Sequence, residues 1–232
     1  MKLYKTNKQA LSIRKTDVKS FLNGLASNTM DDPRNAFLTI HGRIVVTFDQ
    51  LQINDHEYLI VIEKQFVDDL LRHLDKFMKL GGVKVEQLNH NVYFDLENSA
   101  GNTHACSLRD KGDYCIEQKE GMLLITTREL KDNVSDEEFT AFRLDQHIPV
   151  QGIDFKDEML LNVSTTEFVS FKKGCFLGQE PISKVYNRSK PTWRLVVKAF
   201  DDCTVEEQQK MTSAIIHPVT GRKTGFVFEK ND

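Results

Sequence analysis

Apolar positions recur along this chain with two different periods, and each change of period marks an element. Gln9 to Arg14 (Gln-Ala-Leu-Ser-Ile-Arg) reads as a short strand. From Thr16, a good N-cap with Asp17 in the first turn, Val18, Phe21, Leu22 and Leu25 recur at three- and four-residue intervals and predict a helix that ends at Gly24. Two β-rich runs follow, 35–40 and 43–48, joined at His41-Gly42, which is hairpin chemistry. Glu57 to Ile62 is a further strand. The strongest helix comes next: Phe66, Val67, Leu70, Leu71, Leu74, Phe77 and Met78 share one face, and Gly81-Gly82 stops it before a strand at 83–87.

The β character continues at 91–96 and 122–126, with turns expected at Asn98-Ser99-Ala100-Gly101-Asn102 and Asp110-Lys111-Gly112-Asp113 between them. Ser135 is the candidate cap of a helix that opens on Asp136-Glu137-Glu138. Phe168-Val169-Ser170-Phe171 alternates like a strand. Beyond Pro191, runs at 194–200, 214–217 and 224–228 are β candidates, with a short helical turn from Glu206 to Met211. A hairpin followed by strand, helix and strand predicts an α+β fold, with antiparallel or mixed sheets and helices on one face.

At 232 residues, 40% hydrophobic and 28% charged, the chain has the composition of an ordinary globular protein, which excludes wholesale disorder. A formal net charge of -3 argues against a general electrostatic grip on nucleic acid, so direct nucleic-acid binding is not expected. The sequence has no apolar run long enough for a bilayer, and the start Met1-Lys2-Leu3-Tyr4-Lys5 lacks an apolar secretory segment; a cytoplasmic protein with no membrane partner is expected. Cys106, Cys115, Cys175 and Cys203 follow neither zinc-ligand nor disulfide-framework spacing, and no single-chain iron–sulfur site is spelled out, so no metal ligands are assigned.

One stretch stands apart from these patterns: Lys172-Lys173-Gly174-Cys175-Phe176-Leu177-Gly178-Gln179-Glu180. Gly174 and Gly178 suit a tight loop that holds Cys175 at a surface, where a strand runs out. Lys172 and Lys173 would favour its thiolate. The competing reading of a lone cysteine is a small buried hydrophobe. Lys173 and Glu180, the charged ends of the loop, are expected to pair with each other or with backbone.

The string from Lys173 to Glu180 resembles, at every fixed position, the Lys-Gly-Cys-(Tyr/Phe)-x-Gly-Gln-Glu signature of the YgfZ family. These folate-binding proteins are related to the T-protein of the glycine cleavage system and include the mitochondrial iron–sulfur assembly factor of this type. Glu180-(x)3-Lys184-(x)3-Arg188 resembles the family's Glu-(x)3-Arg-(x)3-Arg, with lysine in place of an arginine. Asp17-(x)3-Phe21-Leu22-Asn23-Gly24, the hairpin at His41-Gly42, and Arg143-Leu144-Asp145-(x)2-Ile148-Pro149 with Gly152-Ile153-Asp154 match more loosely, His147 replacing a glycine.

The resemblance implies a T-protein-like fold: residues 1–190 as a folate-binding unit of two α+β modules, near 1–88 and 89–190, and 191–232 as a truncated β subdomain. It implies tetrahydrofolate or a derivative as cofactor, with Asn23, His41, Phe139, Arg143, Lys173, Gly174, Cys175, Phe176, Gly178, Gln179, Glu180, Lys184 and Arg188 around it and Cys175 as a functional thiol. Phe139, Phe176 and Trp193 are candidates to stack on a pterin, and Arg143, Lys184, Arg188 and Arg194 to meet carboxylates. Iron–sulfur proteins or their assembly factors are the implied partners, and support of iron–sulfur enzymes, tRNA-modifying ones included, the implied role.

Folate-dependent one-carbon transfer is the alternative. The T-protein relatives carry an Asp-Asp pair where this chain has Val46 and Thr47; Asp49 lies two residues on, on the same sheet face as Thr47. A cysteine-nucleophile enzyme would need His41, His147 or His217 beside Cys175.

Overall fold

The computed structural model describes residues 1–97 and 112–231. The turn expected at 98–102, the Asp110-Lys111 half of the next one, and Cys106 lie outside the described residues.

The first sheet contains β2 (Lys8–Arg14), β3 (Arg34–Leu38), β4 (Ile44–Asn54), β5 (Glu57–Glu63) and β6 (Lys84–Gln87), in the order β3-β4-β5-β2-β6 with antiparallel pairing throughout. Because side chains alternate across a strand, this sheet has two different faces. Leu11, Ile13, Val46, Phe48, Tyr58, Ile60 and Ile62 meet Val18 and Leu22 of α1 (Val18–Asn23) and Val67, Leu70 and Leu74 of α2 (Val67–Gly81). Burying each such leucine contributes about 1.5–3 kcal/mol. Asp17, not Thr16, caps α1, its carboxylate accepting from Ser20 N. α2 ends as the sequence predicts, on Gly82 in the left-handed conformation.

The opposite face carries Ala10, Leu59 and Val61 and packs on Val92, Phe94, Ile116, Leu123 and Ile125 of a second sheet. That sheet has the order β1-β7-β9-β8, from β1 (Leu3–Lys5), β7 (Asn91–Asp95), β8 (Tyr114–Glu117) and β9 (Met122–Thr126). Helix α3 (Asp136–Asp145), capped by Ser135, lays Phe139 and Phe142 against Phe94. A third sheet, β10-β12-β11, is made of β10 (Trp193–Ala199), β11 (Thr212–Ile216) and β12 (Lys223–Lys230), with α6 (Val205–Lys210) before β11. It is formed by the three β candidates at 194–200, 214–217 and 224–228.

The structure corrects one local expectation and adds one helix that the sequence reading did not place. Residues 168–171 form no strand: Phe168 and Val169 are both buried, so the stretch does not alternate in burial, and it docks on Ser27 through Ser170 N to Ser27 O (3.1 Å) and Ser27 Oγ to Phe168 O (2.5 Å). Residues 179–188 form a helix, α5 (Gln179–Arg188), which follows α4 (Leu160–Val163) in the third cluster of buried side chains, with Leu38, Ile44, Phe168, Phe176 and Ile182.

Candidate functional site

Where the apolar face between the first two sheets gives out, the strands end in charge. Lys8 opens β2, Glu63 closes β5 and Arg34 opens β3, while Asp49 lies in the middle of β4, and strand register aligns them: Lys8 opposes Glu63, and Asp49 opposes Arg34. Lys8 Nζ lies 2.8 Å from Glu63 and 3.5 Å from Asp49. Arg34 reaches Glu167 at 2.6 Å, while its Nε stays 3.8 Å from Asp49, too far for a hydrogen bond. Burial works against the Lys8 charge, but Glu63 and Asp49 outweigh it and raise its pKa. The ammonium therefore persists through neutral pH.

These residues wall one side of a cavity of about 380 Å³. The other side is aromatic: Tyr4 from β1 stacks on Phe139 at 4.0 Å and 15°, and Phe94 lies 5.5 Å from Phe139. The Tyr4 hydroxyl donates to Asp136 (3.0 Å), and burial together with that carboxylate pushes its pKa up to about 12. Thr47 and Asp49 both line the cavity, as their shared sheet face requires. Thr47 N and Oγ1 donate to Gln151 Oε1, which pins the 148–156 segment to β4.

Two buried donors in this wall, Arg34 Nε and Gln118 Nε2, have no hydrogen-bond partner among the described residues. A buried N–H without an acceptor costs about 1–3 kcal/mol. The cavity is thus suited to a ligand with a flat apolar face and hydrogen-bond acceptors on its edge.

Of the residues singled out from the sequence, Phe139 and Arg143 line this cavity. Arg143 is buried; its guanidinium bonds Asp154 at 2.7 Å, and it lies 5.9 Å from the Phe139 ring. The others gather elsewhere. Lys173 Nζ donates to the carbonyls of Asn23 (2.8 Å), Ala26 (2.6 Å) and Asn28 (2.8 Å), tying down the chain between α1 and β3, and burial lowers its pKa to about 8. The Asn23 side chain accepts from Met30 N. Phe176 is buried against Leu38, Phe168 and Ile182.

Gly178 needs its left-handed φ of 83°, and a Cβ there would sit 2.4 Å from Thr39 O. The loop therefore closes on the β3–β4 hairpin, whose Gly42 lies under Pro181 and Ile182 while His41 points outward, exposed. Gln179 opens α5; Glu180, Lys184 and Arg188 follow on its exposed face. Gly174 and Cys175 are exposed, and among the described residues no histidine bonds the Cys175 sulfur.

Lys173 takes backbone partners as expected. Glu180 does not: its carboxylate is exposed and has no partner among the described residues, because Lys173 is turned inward to the three carbonyls. His147 keeps the positive φ (55°) of the glycine it replaces. Lys8, Arg34, Glu63 and Gln118 escaped sequence reading. Their signal was a charged or amide side chain at an inward-facing end of an otherwise apolar strand or its turn.

No family model matches the chain. It is 24% identical, over 200 aligned residues covering 75% of this chain and 48% of the relative, to a protein named as the mitochondrial iron–sulfur cluster assembly factor IBA57 homolog of Dictyostelium discoideum. The chain thus spans about half the length of that curated relative. Its fold is similar to that of the crystal structure of the glycine cleavage system aminomethyltransferase T from Bartonella henselae, with a TM-score of 0.69 over 98% of this chain and 78% of the other, at 12% identity. Both comparisons bear out the resemblance to the YgfZ and T-protein group and the α+β, T-protein-like fold. No helix of the described residues is long and apolar enough to cross a membrane.

Proposed function

We propose that the protein binds a reduced folate in the cavity between the first two sheets and serves as an accessory factor in iron–sulfur cluster assembly or repair, supporting iron–sulfur enzymes and, among them, those that modify tRNA. The observation that carries the folate reading is the pairing of an aromatic wall, Tyr4, Phe94 and Phe139, with the unpartnered donors Arg34 Nε and Gln118 Nε2. A pterin has a flat face for the first and ring acceptors for the second, and the Arg34 Nε–H is a charge-assisted donor for such an acceptor. The iron–sulfur role draws on the name of the Dictyostelium relative and on the exposed Cys175.

Calorimetric titration with tetrahydrofolate and its 5-formyl derivative tests this reading. Saturable heat is expected, weakened about tenfold by Gln118→Leu, which removes one donor. Absence of heat and of any thermal shift with every reduced folate would overturn it.

One-carbon transfer is the second reading, and the position of Asp49 bears on it. The carboxylate lines the cavity, yet Lys8 and Arg34 flank it, and Thr47, at the T-protein carboxylate position, is bound to Gln151. This arrangement favours binding over transfer. Turnover of an aminomethyl donor with tetrahydrofolate, lost in Asp49→Asn, would reverse the order of the two readings.

A further inference from the structure

Among the described residues, Ser213 is the only one beyond position 190 that lines the cavity. It sits at the register shift of β11 with a φ of 49°, a left-handed conformation that a non-glycine residue seldom adopts. Its hydroxyl donates to Asp154 Oδ1 (2.5 Å) and accepts from the Arg143 guanidinium (2.8 Å). Asp154 is wholly buried, and its other bonds come from Thr212 Oγ1 (2.9 Å), Val150 N (2.8 Å) and Arg143 (2.7 Å). The carboxylate is therefore satisfied, and the bulge that strains Ser213 brings its hydroxyl between acid and guanidinium.

We propose that Ser213 is a positioning residue of the cavity: through Arg143 it sets the helix wall that carries Phe139, and so makes ligand binding depend on the docked C-terminal sheet. Arg143 stands one helical turn from Phe139, with its guanidinium 5.9 Å from that ring and 6.0 Å from Phe226 of β12. Releasing one of its anchors lets the guanidinium sample other rotamers in a wall the ligand must contact. The reading of the cavity as a folate site underlies the affinity part of this proposal but not the part that concerns Arg143.

Two substitutions separate positioning from folding. Ser213→Gly removes the hydroxyl and relieves the positive φ, whereas Ser213→Ala removes the hydroxyl and keeps the strain. Ser213→Gly is expected to unfold at a denaturant midpoint equal to or above that of Ser213→Ala, while both bind tetrahydrofolate about tenfold more weakly than wild type. A residue with only a structural role would move stability and affinity together. In the ligand-free protein, the Arg143 Nε–Hε NMR signal should be sharp in wild type and broadened or shifted in both variants.

An unchanged Arg143 signal in both variants would overturn the proposal whatever the ligand result. Wild-type affinity in Ser213→Gly would overturn it as well. If wild type itself binds no tetrahydrofolate but the Arg143 signal changes as expected, the folate reading falls and the positioning role stands.

Discussion

The charged cavity wall draws Lys8, Glu63, Asp49 and Arg34 from four different strands, whereas the glycine loop draws Lys173, Phe176 and Gly178 from six consecutive residues. The wall exists only once strand register has aligned those residues. The loop, by contrast, is written into its own sequence and acts as a staple: Lys173 binds the end of α1, Phe176 fills a core and Gly178 closes on Thr39. A dense motif therefore marks the part of the fold that local sequence dictates. The space that can take a ligand is defined by residues that no short window contains.

The largest expected effect lies on the cavity side. Arg143→Met leaves the Asp154 carboxylate buried without its cation, which should cost about 3–5 kcal/mol of unfolding free energy, read by chemical denaturation. Adding Asp154→Leu to Arg143→Met should recover part of that loss, because the uncompensated charge goes with it. A double variant no better than the single would mean that the network's hydrogen bonds, and not the unpaired charge, dominate.

On the loop side the expected effect is somewhat smaller. Lys173→Met removes the ammonium shared by three backbone carbonyls, of which Asn28 O keeps Asn35 Nδ2, and should cost about 2–3 kcal/mol. Glu180→Gln, by contrast, should stay within about 0.5 kcal/mol of wild type, since the carboxylate is exposed. Equal losses in the two variants would show that Glu180 takes a partner in solution and that the staple has two ends.

The same contrast explains what could be read beforehand. α2 was legible because seven apolar residues hold one face up to Gly82, and β5 because Tyr58 to Ile62 form one short apolar run rich in β-branched residues. The short strands β1 and β8, of 3 and 4 residues, offer too few alternations. α5 was missed although Glu180, Lys184 and Arg188 recur every fourth residue, because they were read as a motif and not as a helix face. At the site, Phe139 and Arg143 were legible through the family resemblance, on a helix announced by the Ser135 cap and its acidic first turn. Lys8 and Glu63 fall just outside the strands read at 9–14 and 57–62, and nothing in those windows marks them as cavity residues.

Cysteine reactivity sharpens the comparison from the loop's side. Cys175 is exposed, Cys115 is buried, and Cys203 is half-buried with its thiol pKa raised by burial and by Glu207. Brief native alkylation mapped by mass spectrometry should label Cys175 first among these three, by about tenfold or more in rate, since reactivity follows access and thiolate fraction. A slow Cys175 beside a fast Cys203 would mean that the staple closes over its own thiol. Cys175→Ser should leave the denaturation midpoint unchanged, because the residue packs against no core, yet it should impair activation of iron–sulfur enzymes in cells if the proposed role holds.

The smallest effect, and the one specific to the cavity, belongs to Tyr4. Its folded-state pKa of about 12 stands above the ordinary value of 10.0, because burial first and the Asp136 carboxylate next oppose the phenolate. Between those two values the unfolded chain gives up this proton before the folded one does, so the folded state binds more protons and stability falls as pH rises from about 10 to 12. Below about pH 10 the contribution is complete and flat. Spectrophotometric titration of the phenols should show a late step that Tyr4→Phe removes and that Asp136→Asn shifts to lower pH, while Lys173→Met, on the other side of the comparison, leaves it in place. Tyr58 is also raised by burial, so the assignment rests on the difference between wild type and Tyr4→Phe and not on the late step alone. If Tyr4→Phe leaves the late step intact, the stack on Phe139 is open to water and the aromatic wall is not formed as described.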